Sequence, residues 1–203
     1  MSRDVGAMDV RSRRGWVTTL LIAAVLSVPL AASGHPFPLA DEVAGLLPRN
    51  FVISLRAVNQ FFSEITEQSG TGRDETAVGR PIATRAVFFT NGDGSLKVTI
   101  TVDRYLRKRD AASAYQQALE KSEAVPGFAP ISIPDVGKKA FAGTVTMGGE
   151  THTGLGALDG DLVVGATLAG FDATPDNITN LVGLARAEDA AANAAAGCRC
   201  SRR

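Results

Sequence analysis

Apolar residues in this chain recur every three or four positions in some stretches and every second position in others. The switch between the two spacings predicts the elements. Leu55, Val58, Phe61, Phe62 and Ile65 fall on one stripe of a helix over residues 52–68. A shorter helix is expected over 41–47, where Asp41 supplies a cap, Val43, Leu46 and Leu47 share a side, and Pro48 ends the run. Residues 69–80 are polar, carry Gly70, Gly72 and Gly79, and read as a loop.

The period then drops to two. Leu96, Val98, Ile100 and Val102 alternate with Lys97, Thr99, Thr101 and Asp103, which predicts a half-buried strand with an inner and an outer side. Residues 84–90 pair with it through Asn91-Gly92-Asp93-Gly94, since Asn-Gly and Asp-Gly accept the positive φ of hairpin turns. Asp110 caps a helix over 111–123 whose core side is Ala111, Tyr115, Ala118 and Leu119, closed by Pro126-Gly127. A meander follows: 130–133, 140–147, 151–158 and 161–168, turning at Gly148-Gly149 and Asp159-Gly160. Thr174-Pro175-Asp176 opens the last helix, which buries Ile178, Leu181, Val182 and Ala185. Beyond Glu188 the sequence turns Ala-rich and loses its stripe, so this end is expected to project or fray. The order α-α-ββ-α-ββββ-α predicts an α+β fold: an antiparallel sheet of five or six strands with helices packed on at least one face.

A pattern of a third kind occupies residues 1–34. Arg3, Arg11, Arg13 and Arg14 precede an uncharged run from Val17 to Ala32, broken by Pro29 and followed by small residues up to Gly34. This reads as a cleavable export signal, with an uncleaved N-terminal anchor as the alternative, so any membrane contact would run through that segment. Arg13-Arg14 followed by Gly15-Trp16-Val17 fits the twin-arginine export pattern and also an ordinary basic leader for general secretion. The expected organisation is a signal over 1–34, one α+β domain over 35–190, and a disordered tail over 191–203. The expected location is periplasmic or extracellular.

Charge narrows the function classes. The whole chain balances 21 Lys and Arg against 21 Asp and Glu. Residues 35–190 carry 14 basic and 19 acidic side chains, a net of −5. A mildly acidic domain is a poor nucleic-acid binder, because phosphate binding needs a basic surface. Both cysteines, Cys198 and Cys200, lie in the tail, so the domain must hold without disulfides. The tail pair could close a strained ring, bind a soft metal, bridge chains, or belong to a dispensable end.

The segments Leu96-Lys-Val-Thr-Ile-Thr-Val-Asp-Arg-Tyr105, Ile133-Pro-Asp-Val-Gly-Lys-Lys-Ala-Phe141 and Leu158-Asp-Gly-Asp-Leu-Val-Val164, with the Ala-rich helix between the first two, form a familiar layout. Over residues 84–187 it resembles the small exported sensor-like and lipoprotein-like domains of high-GC bacteria, among them the extracellular domains of some actinobacterial serine/threonine kinases. Lys138 stands where those domains usually have an acidic residue. The resemblance implies a fold and a ligand-binding or sensing role rather than a reaction.

Candidate chemistry is sparse. No serine has a glycine two positions before it, no Gly-rich phosphate loop joins a strand to a helix, and only His35 and His152 could serve a His-based triad. No catalytic set and no cofactor site is expected. Glu150 and His152 share a strand face and are weak metal candidates, two ligands where a site needs three or four. Arg104, Arg107, Lys108 and Arg109 could meet an anion, or form a solvated connection offset by Asp103 and Asp110. Asn91–Ser95 departs from a calcium loop at Leu96 and Val102. The favoured expectation is a non-enzymatic ligand-binding or sensor-like module. Its pocket would lie between the sheet and the 52–68 helix, lined by Phe61, Phe62 and Phe88 and floored by Gly154 and Gly156. The partner would be an unknown small molecule or, if the chain is instead an interaction or envelope-structural module, an envelope protein. A hydrolase or metalloenzyme is the third reading.

Overall fold

The computed structural model describes residues 51–197. The 41–47 helix, the leader with Arg13 and Arg14, His35, and the Cys198–Cys200 pair lie outside the described residues. Seven antiparallel strands form one sheet: β1 (Glu67–Gly72), β2 (Ala83–Thr90), β3 (Lys97–Arg104), β4 (Ala129–Ile131), β5 (Lys139–Met147), β6 (Glu150–Asp159) and β7 (Leu162–Ala169). Their spatial order is β1-β2-β3-β7-β6-β5-β4. Among the described residues three helices accompany them: α1 (Leu55–Val58), α2 (Lys108–Glu123) and α3 (Pro175–Gly197). The fold is α+β with an antiparallel sheet, as its hairpin and meander signals require.

Seven strands replace the expected five or six because β1 escapes any periodicity argument. Its sequence, Glu-Gln-Ser-Gly-Thr-Gly, is exposed along almost its whole length. It is an edge strand held by backbone pairing with β2, with a register shift between Gln68 and Gly70. Backbone hydrogen bonds carry no side-chain signature. The same edge shortens the preceding helix. The 52–68 stripe is used, since Val58, Phe62 and Ile65 are buried. The helix, however, ends at Val58 with Asn59 as its cap. The Asn59 side-chain amide donates to the Ile65 carbonyl, and the Thr66 amide already donates to Thr90 of β2. Helix α2 begins at Lys108 rather than at the expected Ala111, with Arg107 at its N-cap and Asp110, the expected cap, inside its first turn.

The two faces of the sheet carry separate cores. On one, Val98 and Ile100 pack with Phe89, Leu155 and Leu168 beneath Phe62, Leu181 and Leu184. Phe62 meets Phe171 edge-on, with ring centroids 5.1 Å apart. The Ala-rich end of α3 neither projects nor frays: the helix continues to Gly197, and Ala192 is fully buried against Phe51, Val102 and Leu162. Alanine leaves no stripe to detect, yet its methyl group suits a close helix–sheet approach. On the other face, Ala111, Ala114 and Tyr115 of α2 pack with Tyr105, Val78 and Leu158. The side of β3 expected to face water is therefore covered at Thr101 and Asp103, 8 % and 5 % exposed.

Candidate functional site

The face beneath α2 places polar groups where the sheet leaves room. Across the strands the register runs Thr101 to Gly165, Gly165 to Gly156, and Gly156 to Phe141. The two adjacent glycines open a trough. A Cβ at Gly165 would collide with the Thr101 hydroxyl, and one at Gly156 would stand 2.6 Å from the Phe141 ring. Helix α2 roofs this trough with Ala114 and Ala118, whose short side chains do not fill it. A cavity of about 60 Å³ remains, lined also by Asp74, Asp103, Tyr105 and Val163. Phe141 forms one wall, and its ring is met edge-on by Tyr115 at 5.5 Å.

Two carboxyl groups reach this cavity from different elements. Asp103 is the seventh residue of β3 and stands opposite Thr84 of β2. Asp74 comes from the segment between β1 and β2. Its Oδ1 accepts the Thr76 amide at 2.8 Å and the Thr76 hydroxyl, and its own amide donates to Thr84 Oγ1 at 2.9 Å. Such an Asx-type turn presets the segment locally. The Tyr105 hydroxyl donates to the Val78 carbonyl at 2.7 Å and fastens the far end of the same segment. Asp103 Oδ1 finds no hydrogen-bond partner at all.

Burial first, and the Asp74 charge second, push the Asp103 carboxyl well above the usual carboxylate range. Burial raises Asp74 too, against its hydrogen bonds from Thr76. The two carboxyls lie within hydrogen-bond reach of one another, and like charges so close in a dry site favour one shared proton. Burial, with the charges of Asp103 and Asp74 behind it, raises the Tyr105 phenol far above its ordinary value, so it stays a neutral donor.

The residues expected to line one pocket are spread over the molecule. Phe61 and Phe62 belong to the opposite face, Phe62 within its core and Phe61 against it, the Phe61 ring lying over Gly183 of α3. Phe88 points away from that core and is 39 % exposed. Gly156 floors the cavity under α2, and Gly154 lies two residues along the same strand, paired with Gly143 and Thr167. The expected pocket beneath the 52–68 helix is thus not assembled, because alternation turns Gly156 to the α2 side of the sheet while Phe62 packs in the core on the other side. Glu150 and His152 approach to 3.8 Å, with His152 buried. Among the described residues no group of three or more His, Cys, Asp or Glu converges. Of the basic cluster, Arg104 is held by Asp161 at 2.9 Å and Arg109 lies 3.5 Å from Asp110. The 91–96 segment is a hairpin turn, with Leu96 donating to Asn91 Oδ1.

Sequence reasoning passed over Asp74 and Asp103. A signal for Asp103 exists. If Val98, Ile100 and Val102 serve the helices on one face, the Ala111–Ala118 side of α2 must cover the other, and Asp103 lies under it.

No helix of the described residues is long and apolar enough to cross a membrane. Neither a protein-family model nor a curated protein sequence matches the chain. Among solved structures it is similar to the extracellular domain of PknH from Mycobacterium tuberculosis, at a TM-score of 0.53 and 11 % identity, over 77 % of this chain and 99 % of that one. At that identity the likeness is one of fold alone.

Proposed function

We propose that this chain is an exported, non-enzymatic binding or sensor-like module whose small-molecule ligand enters the cavity between α2 and the sheet. One observation carries the reading: Asp103, 5 % exposed and with one carboxyl oxygen unpartnered, lines an unfilled space. Leaving such an oxygen unpaired costs about 1–3 kcal/mol or more, and an orphaned buried polar group of this kind calls for a reason. A ligand that pairs it supplies one. The fold shared with a kinase extracellular domain, and the leader-like residues 1–34, support export. The carboxyls act here in recognition, because the space of about 60 Å³ beside them holds only about four to six heavy atoms at about 10–15 Å³ each.

Native mass spectrometry of the protein purified from its own cell envelope tests this. A co-purifying small molecule is expected on the wild-type chain and not on Ala118→Leu, which fills the cavity from its roof. A bare chain in both cases, or a bound species unaffected by Ala118→Leu, overturns the reading.

A further inference from the structure

The cavity selects for charge as well as size. The protein donors near the carboxyl pair, the hydroxyls of Thr76, Thr84 and Thr101 among them, carry no positive charge. The Thr76 amide and hydroxyl serve Asp74 Oδ1, and the Tyr105 hydroxyl serves Val78. Arg104, next in sequence to Asp103, is held by Asp161. Helix α2 contributes Ala114 and Ala118 to the roof, and β7 contributes Val163, Gly165 and Thr167, so neither brings a compensating cation. A pair that shares one proton keeps one negative charge. A buried charge is stabilised only by a partner that both neutralises it and donates hydrogen bonds. Neither an anion nor a neutral acceptor can do this. An inorganic divalent cation is poorly served as well, since calcium wants six to eight oxygens and most of this lining is hydrocarbon.

From this geometry we infer that the cavity under α2 binds a small organic ammonium. Its N–H groups donate to the Asp103 and Asp74 carboxyls, and its short carbon chain lies against Phe141, Val163 and Ala114. The inference rests on the reading that the chain binds a small molecule in this cavity, and names its chemical class. At about 60 Å³, the space suits a molecule of about four to six heavy atoms, or the terminal amine of a longer one.

Calorimetric titration of the full chain with n-propylammonium, propan-1-ol, propionate and calcium chloride decides it. Saturable one-to-one binding of propylammonium is expected, with the alcohol and the carboxylate at least tenfold weaker. Asp103→Asn is expected to weaken propylammonium at least tenfold, and Ala118→Leu to abolish its binding without touching either carboxyl. Circular dichroism on both variants establishes that they are folded. The inference falls if propan-1-ol binds as tightly, if Asp103→Asn changes nothing, if calcium binds in preference, or if no saturable heat appears. It falls alone, leaving the binding reading intact, if the species lost on Ala118→Leu in native mass spectrometry contains no basic nitrogen.

Discussion

Glu188 of α3 accepts the backbone amide of Ile53 on its Oε2 at 2.9 Å, across 135 residues of sequence. The carboxyl is fully buried and its Oε1 has no partner. Burial, partly offset by the Ile53 amide and the nearby Arg85 charge, raises Glu188 from 4.5 to about 7. The sign of its effect on stability follows. The folded chain holds this proton over a pH range in which the unfolded chain has lost it, so stability declines as pH climbs from about 4.5 through about 7 and then levels off. Full ionisation corresponds to about 3 kcal/mol. Glu188→Gln keeps an acceptor for Ile53 and removes the charge. Urea denaturation should show this variant up to about 3 kcal/mol more stable than wild type at pH 8.5 and equal to it near pH 4.5. A wild-type advantage at pH 8.5 would contradict the assignment.

The Asp74–Asp103 pair yields a second pH effect of the same sign. Both carboxyls are raised, Asp103 the more strongly. Ionising the pair inside the fold is unfavourable, so its contribution is lost as pH rises above the ordinary carboxylate range. Asp103→Asn should raise the melting temperature at neutral pH, with the gain shrinking toward pH 3, where the carboxyls are protonated in both states. Because the two share a proton, Asp74→Asn and Asp103→Asn should not add: the double variant should melt within a degree or two of the better single one, by the coupling expected of contacting groups. Melting curves at pH 3, 5 and 7 check both statements.

These carboxyls also mark where sequence reasoning stopped. The hairpin through Asn91–Gly94, the meander and the Thr174-Pro175 helix start were legible because each rests on local chemistry. Asn91 Oδ1 takes the Leu96 amide, and Thr174 Oγ1 takes the Asn177 amide at 3.2 Å. Strand β1 was not legible, since its order comes from backbone pairing with β2. The site was missed for a geometric reason. Alternation in β3 separates two faces correctly but does not say that both are covered. Nothing in the chemistry of Phe61, Phe62 and Gly156 tells that strand parity turns Gly156 to the α2 side while the two rings pack on the other.

Turn geometry separates two glycines with similar dihedral angles. Gly170 has φ +82°, and a Cβ there would run into the Ser95 carbonyl oxygen, whereas Gly160 has φ +62° with open space around it. Gly160→Ala carries only the left-handed backbone penalty, about 1–2 kcal/mol. Gly170→Ala adds a backbone clash and should cost at least about 2 kcal/mol more, on the scale of overpacking. Equal losses for the two variants in urea denaturation would show that the β3 hairpin and the 169–171 segment are not in contact.

Ala192 tests whether the Ala-rich end of α3 is part of the domain. It is fully buried against Phe51, Ala83, Val102 and Leu162, and Ala195 and Ala196 pack on the same cluster. Ala190, two residues earlier, is exposed. A free, fraying helix end would tolerate a larger side chain at either position, and leucine is a good helix former that costs nothing in propensity. In the packed arrangement, Ala192→Leu forces extra carbons between α3 and the sheet and should destabilise by about 1–3 kcal/mol. Ala190→Leu should stay within about 0.5 kcal/mol of wild type, as a surface change does. A matched pair of urea curves distinguishes the cases: coincident midpoints for the two variants would mean that the helix beyond Glu188 does not dock.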